Sequence, residues 1–136
     1  MRIYYIDEPL DNSDLVLLKD AISTRDGLRA LQKIEQIKIP CVLPMDSDLA
    51  NMDTRKVLEL IKGNLLNAGV GNDCGIQVVF VMPQMTHWGV KFQMAIMELT
   101  GIGPYTFQRW RVDEDGKSYR GNSRVIDTHG MFGGKG

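Results

Sequence analysis

The segment Ile76-Gln77-Val78-Val79-Phe80-Val81-Met82, closed by Pro83, constrains the fold more than any other part of the chain. It is rich in β-branched and aromatic residues, and its apolar run is almost continuous rather than alternating. A strand of that kind needs apolar cover on both faces, which is the condition met inside a parallel sheet flanked by helices. The chain has 136 residues, of which 43% are hydrophobic and 24% charged. Those values describe one compact globular domain, expected over residues 1–129. A domain near this size buries roughly two-thirds of the surface its unfolded chain exposes, so it needs no disulfide or structural metal.

The remaining sequence supplies the cover. Arg2 to Ile6 reads as a first strand with a turn at Asp7-Glu8-Pro9, and a strand this early often becomes central. Leu15, Leu18, Ala21 and Ile22 follow at helical spacing after Ser13 as N-cap, in a helix ending near Asp26-Gly27. Leu28, Leu31 and Ile34 suit a helix, whereas Ile37, Ile39, Cys41 and Leu43 alternate; a strand is expected over Ile37 to Leu43. Pro40 argues against a central position for it, because proline cannot donate to a ladder. Asp53 or Asn51 caps a helix through Val57, Leu58, Ile61, Leu65 and Leu66, ended by Gly69 and Gly71. Phe92, Ala95, Ile96 and Leu99 mark a third helix, closed by Gly101 and Gly103-Pro104. Tyr105 to Val112 and Ser118 to Asp127 are strands around the Asp115-Gly116 hairpin signal. Residues 130–136 hold four glycines and read as a flexible tail.

This order predicts an α/β fold: a Rossmann-like, mostly parallel sheet of about five strands with helices on both faces and a C-terminal antiparallel hairpin. In such sheets ligands sit at the carboxyl ends of the strands. Asp7 to Ser13 and Pro83 to Lys91 occupy that edge.

Sixteen basic and seventeen acidic residues leave a formal charge of -1, which argues against a general grip on long nucleic acid or an anionic membrane. Cys41, Cys74, His87 and His129 lack the spacing of a zinc site or a redox CxxC pair, so no metal is expected. No apolar run is long enough for a membrane span, and the N-terminus does not read as a signal peptide, so a cytoplasmic location is expected. No cofactor is called for.

The loop after the apolar strand presents Thr86, His87, Trp88, Gly89 and Lys91 where a helix opens. Backbone N–H groups, a hydroxyl, a glycine allowing close approach and a lysine together suit a phosphate, and Trp88 adds a surface for stacking a base. The Walker A spacing is absent. The competing structural reading has Thr86 capping the helix, Trp88 closing the core and Lys91 solvated in the first turn.

The run Thr86-His87-Trp88-Gly89-Val90-Lys91-Phe92-Gln93-Met94-Ala95 resembles the Thr-Gly-Gly-Thr-Lys-x-Met-Ala segment of CARF domains, the cyclic-oligoadenylate sensors of type III CRISPR systems, with His87 where that pattern favours glycine. The element order over residues 1 to about 127 is similar to that of small single-domain CARF-like proteins, some of them ring nucleases and some binders. Glu8-Pro9-Leu10, Val81-Met82-Pro83 and Met97-Glu98-Leu99-Thr100-Gly101 are the local echoes. The resemblance implies a homodimer holding a cyclic oligonucleotide, cyclic tetra-adenylate first, across its two-fold axis, and so sequestering or clearing an antiviral messenger. Carried over by position, Asp7, Pro9, Asn12 and Ser13 line one wall and Pro83, Gln84, Thr86, His87, Trp88, Gly89 and Lys91 the floor. Should the chain be an enzyme, metal-independent attack of a ribose 2'-hydroxyl on its adjacent phosphate would engage Lys91, Thr86 and His87.

Two further readings compete. A nucleoside or NAD ribosyl-processing enzyme needs a carboxylate nucleophile, and Glu98 is the only acidic residue on the helix after the loop, more than two turns from its start. A nucleic-acid module would use the basic and aromatic C-terminal strands, including Arg109, Trp110, Arg111, Tyr119, Arg120 and Arg124. From Gly101 onward six Lys/Arg face four Asp/Glu. The structural alternative there is an edge hairpin whose charges prevent edge pairing. An Asp127–His129 partnership is too close to the chain end to carry a catalytic assignment.

Overall fold

The computed structural model describes residues 1–22, 32–40, 51–71, 78–83, 86–101, 105–115 and 117–127. Within them the order is β1 (Arg2–Tyr5), α1 (Asn12–Ala21), β2 (Glu35–Lys38), α2 (Thr54–Asn67), β3 (Val78–Val81), α3 (Thr86–Thr100), β4 (Tyr105–Val112) and β5 (Ser118–Asp127). The five strands form one mixed sheet in the order β2-β1-β3-β4-β5. The first four run parallel, and β5 returns antiparallel to β4.

Every residue of β3 is buried. Its neighbours explain this, because the pleat sends alternate side chains to opposite layers. On one face Ile3, Val79, Val81, Tyr105 and Phe107 pack with Leu18 of α1 and with Ile22, which caps its end. On the other, Tyr4, Val78 and Phe80 pack with Val57, Ile61 and Leu65 of α2 and with Trp88, Phe92, Ala95 and Ile96 of α3. Tyr4 and Phe80, opposite each other in register, stack at 5.2 Å between ring centroids. Helices therefore cover both faces, as the apolar run requires.

Several boundaries differ from the sequence expectations. Asp11, not Ser13, caps α1: its carboxylate accepts from the Asp14 amide at 2.8 Å, while Asp14 Oδ2 accepts from the Asp11 amide at 3.1 Å. This reciprocal box satisfies two orphan amides with two carboxylates and puts Ser13 inside the first turn. The second strand is earlier and shorter than Ile37 to Leu43. It pairs through Tyr5↔Lys38, with one more bond from the Ile39 amide to the Tyr5 carbonyl, and Pro40 supplies no further donor. As expected for a strand next to proline, it is an edge.

Asp53 caps α2, accepting from the Arg55 amide at 2.8 Å. Gly69 and Gly101 follow α2 and α3 with φ of 94° and 76°, the left-handed conformation in which glycine ends helices without a Cβ penalty. The expected end of helix one near Asp26-Gly27, Leu28, Leu31, Cys41, Leu43, Gly103-Pro104, the Gly116 turn position, His129 and the tail all lie outside the described residues.

Trp88 is fully buried and meets Phe92 at 6.2 Å between ring centroids. Truncating a large buried aromatic leaves a cavity that its neighbours only partly fill. We expect Trp88→Ala to lower stability by about 3–5 kcal/mol in urea unfolding, with the dependence on denaturant unchanged. A loss under about 1 kcal/mol would contradict this placement.

Candidate functional site at the carboxyl edge

The chain leaves β1 and β3 at the same edge but in opposite directions. From β1 it passes to α1 on one face, and from β3 to α3 on the other. Two loops thus diverge between adjacent central strands, which makes the carboxyl end of β1 and β3 a topological switch point.

The loop after β1 is held from both sides. The Gln36 side chain of the edge strand accepts from the Leu10 amide at 2.8 Å and donates to its carbonyl at 2.9 Å. From the other side comes Arg109 of β4, whose side chain is 5% exposed. One terminal nitrogen donates to the Pro9 carbonyl and to Asp14 Oδ2, both at 2.8 Å. The other donates to the Glu8 carbonyl at 3.3 Å and to Glu8 Oε2 at 3.4 Å. Its Nε is buried with no hydrogen-bond partner among the described residues. Arg120 of β5 reaches the same Glu8 oxygen at 3.6 Å.

Among the described residues β4 is paired to β3 through Tyr105, Thr106 and Phe107, plus the Met82 amide to the Phe107 carbonyl at 3.0 Å. Beyond Phe107 its partner among the described residues is β5, in a two-stranded ribbon with Trp110 opposite Arg120 and Arg111 opposite Tyr119. An isolated ribbon is marginal in water, so the Arg109 clamp is what fixes it to the sheet edge.

Of the residues assigned to the site from sequence, Asp7, Pro9, Asn12 and Ser13 are exposed around this loop. Gly89 and Lys91 are half-buried on the first turns of α3. Thr86 and His87 begin α3, but their side chains, like the whole of Gln84, lie outside the described residues. Two assignments are corrected. Trp88 is enclosed in the core and offers no face to a base, and Pro83 is buried at the end of β3 rather than presented to a ligand. The structural reading of Trp88 is the one that holds.

The competing readings fare differently. Glu98 sits twelve residues after Thr86, roughly 18 Å along α3 from the loop. It pairs with Arg55 at 2.8 Å and Lys62 at 3.8 Å, and the Arg55 guanidinium holds its carboxyl below the usual carboxylate range. That sets Glu98 apart from the edge loop and engages it with α2. Arg109 is consumed by Glu8 and Asp14, Arg120 meets Glu8, and Arg124 donates to Gln108 at 2.8 Å. Arg109 is thereby withdrawn from any basic face, whereas Arg120 and Arg124 remain exposed to solvent.

Among the described residues there is no group of three or more His, Cys, Asp or Glu that could hold a metal ion. Nor is any described helix long and apolar enough to cross a membrane.

The sequence reading missed the Arg109 cluster. The one signal available was a charged residue at an inward position of a strand, between Phe107 and an arginine that could equally have faced solvent. Its acidic partners lie about a hundred residues earlier, beyond the reach of any local pattern.

Removing one member of a buried ion pair leaves the other uncompensated. Arg109→Ala is therefore expected to lower stability by about 3–5 kcal/mol, and Asp14→Ala to cost much less in an Arg109→Ala background than alone, as read by a double-mutant cycle in urea. A second expectation concerns acid. The Asp14 amide holds the Asp11 carboxyl below its usual range, so this contribution is present above the ordinary carboxylate range and lost as pH falls through the lowered value. The thermal midpoint of the protein should fall with acidification there. Asp11→Asn, which keeps a capping oxygen, should make that fall shallower.

Comparison with protein-family profiles, curated proteins and solved structures gives no match to this chain.

Proposed function

We propose that the protein is a Rossmann-like, CARF-like binder of a cyclic oligoadenylate, cyclic tetra-adenylate first, held at the carboxyl edge between β1 and β3 by a homodimer. The observation that carries the reading is the switch point itself: strand order β2-β1-β3-β4-β5 with α1 and α3 leaving on opposite faces. Doubly wound sheets of order 2-1-3-4-5 bind nucleotides in that crevice. The backbone of the first turns of α3 and the Lys91 ammonium meet phosphate, and the exposed Asp7 and Asn12 meet ribose hydroxyls. With Trp88 in the core, base stacking falls to the ribbon residues Trp110 and Tyr119, the latter 45% exposed.

Gly89 supports close approach of a ligand. A Cβ built there would meet nothing within 4 Å among the described residues, so their packing does not demand glycine. A glycine inside a helix is destabilising by roughly 0.5–1 kcal/mol relative to alanine. Freedom from side-chain bulk at the opening of α3 is the use that offsets this cost.

The test is native mass spectrometry with cyclic tri-, tetra- and hexa-adenylate against linear adenylates. One ring per two chains is expected, and Lys91→Ala should weaken binding by more than about tenfold. Gly89→Ala should raise the thermal midpoint while weakening the ring. Failure of every ring to bind the folded protein overturns the proposal, and linear products would make the protein a ring nuclease rather than a sponge.

A further inference from the structure

Helix α3 is apolar on two opposite sides. Phe92, Ala95 and Ile96 face the sheet core. On the other side Val90, Met94 and Met97 recur at i, i+4 and i+7, with Val90 61% and Met94 44% exposed. Together with Leu58 of α2 they line a groove of about 390 Å³, rimmed by Arg55 and Glu98. A surface helix normally keeps its outward face polar, so this second stripe is built to be covered.

We infer that the stripe is the interface of a two-fold dimer, covered by α3 of a second copy lying antiparallel. The 4-3 spacing is that of a helix–helix seam. Val90 and Met97 are equidistant in sequence from a point between Gln93 and Met94, so a dyad there maps the stripe onto itself and sets Val90 of one copy against Met97 of the other. Self-complementarity of this kind is what an isologous contact requires.

The charges agree with a second copy. Lys91 and Glu98 are seven residues apart and share one flank of the stripe. An antiparallel dyad brings like flanks together, so each copy's flank, carrying one α3 cation and one α3 carboxylate, meets its equal. The rest of the rim is a network in which Arg55 and Lys62 offset Glu59 and Glu98, so like meets like without net repulsion. A strongly acidic or basic partner would find no complementary field there.

The dimer contact rests on α3 alone and not on the ligand reading: an antiparallel α3 pair sets the two carboxyl edges at opposite ends, so this contact is separate from the one that would share a ring, and either can fail while the other stands. Light scattering of the full chain up to about 100 μM should give twice the monomer mass. Met94→Lys and Val90→Glu, both at solvent-exposed positions, should weaken the dimer at least tenfold with unchanged circular dichroism. Met94→Cys in a Cys41→Ser/Cys74→Ser background should give a disulfide-linked dimer on mild oxidation, since the dyad passes beside position 94. A protein that stays monomeric overturns the inference. So does a dimer that survives both charged variants in folded form, or one that does not cross-link through position 94. Cross-linking without ring binding would overturn only the ligand reading.

Discussion

Burial of the central strands on both faces is the constraint from which the architecture follows. Four consecutive buried residues in β3, flanked by β1 and β4, cannot be satisfied by one layer. Odd and even side chains must each find a helix, and the chain meets this by sending α1 to one face and α2 and α3 to the other. Divergence of the loops at the carboxyl edge is a direct result. The crevice proposed to hold a ligand is therefore a consequence of core packing, and the residues around it are those left where the packing separates.

Arg109 then decides what that edge looks like. Desolvating a guanidinium is expensive, and attraction to one carboxylate seldom offsets it. Here the charge is matched by Asp14 at 2.8 Å and Glu8 at 3.4 Å, and two backbone carbonyls use two more donors, leaving only Nε without a partner among the described residues. The cluster joins a strand near the end of the chain to a loop near its beginning. That loop is also gripped by Gln36, so the wall beside the switch point is tied to β2 on one side and β4 on the other. Fixing backbone in advance lowers the ordering cost that a ligand would otherwise have to offset.

α3 shows how one helix can serve two surfaces. Its inner residues complete the core around Trp88 and Phe92, while its outer stripe leaves Val90 and Met94 exposed, and a Cβ at Gly89 on the opening turn would meet nothing within 4 Å among the described residues. The same apolar content that makes the helix easy to find in the sequence obscures which side faces inward. Met94 and Met97 look like core filler by composition, and only the position of the sheet assigns them to the outside.

The sequence by itself determined the alternation of strands and helices, the mixed sheet with its late antiparallel pair, the edge character of the second strand and the two edge loops. Each of these follows from local rules: apolar period, proline without a donor, glycine past a helix end. Tertiary structure alone decided the burial of Trp88 and Pro83, the replacement of Ser13 by Asp11 as cap, and the pairing of Arg109 with Asp14 across ninety-five positions. The physical reason is that patterning reports which residues want cover, whereas which one receives it depends on distances between segments that are remote in the chain.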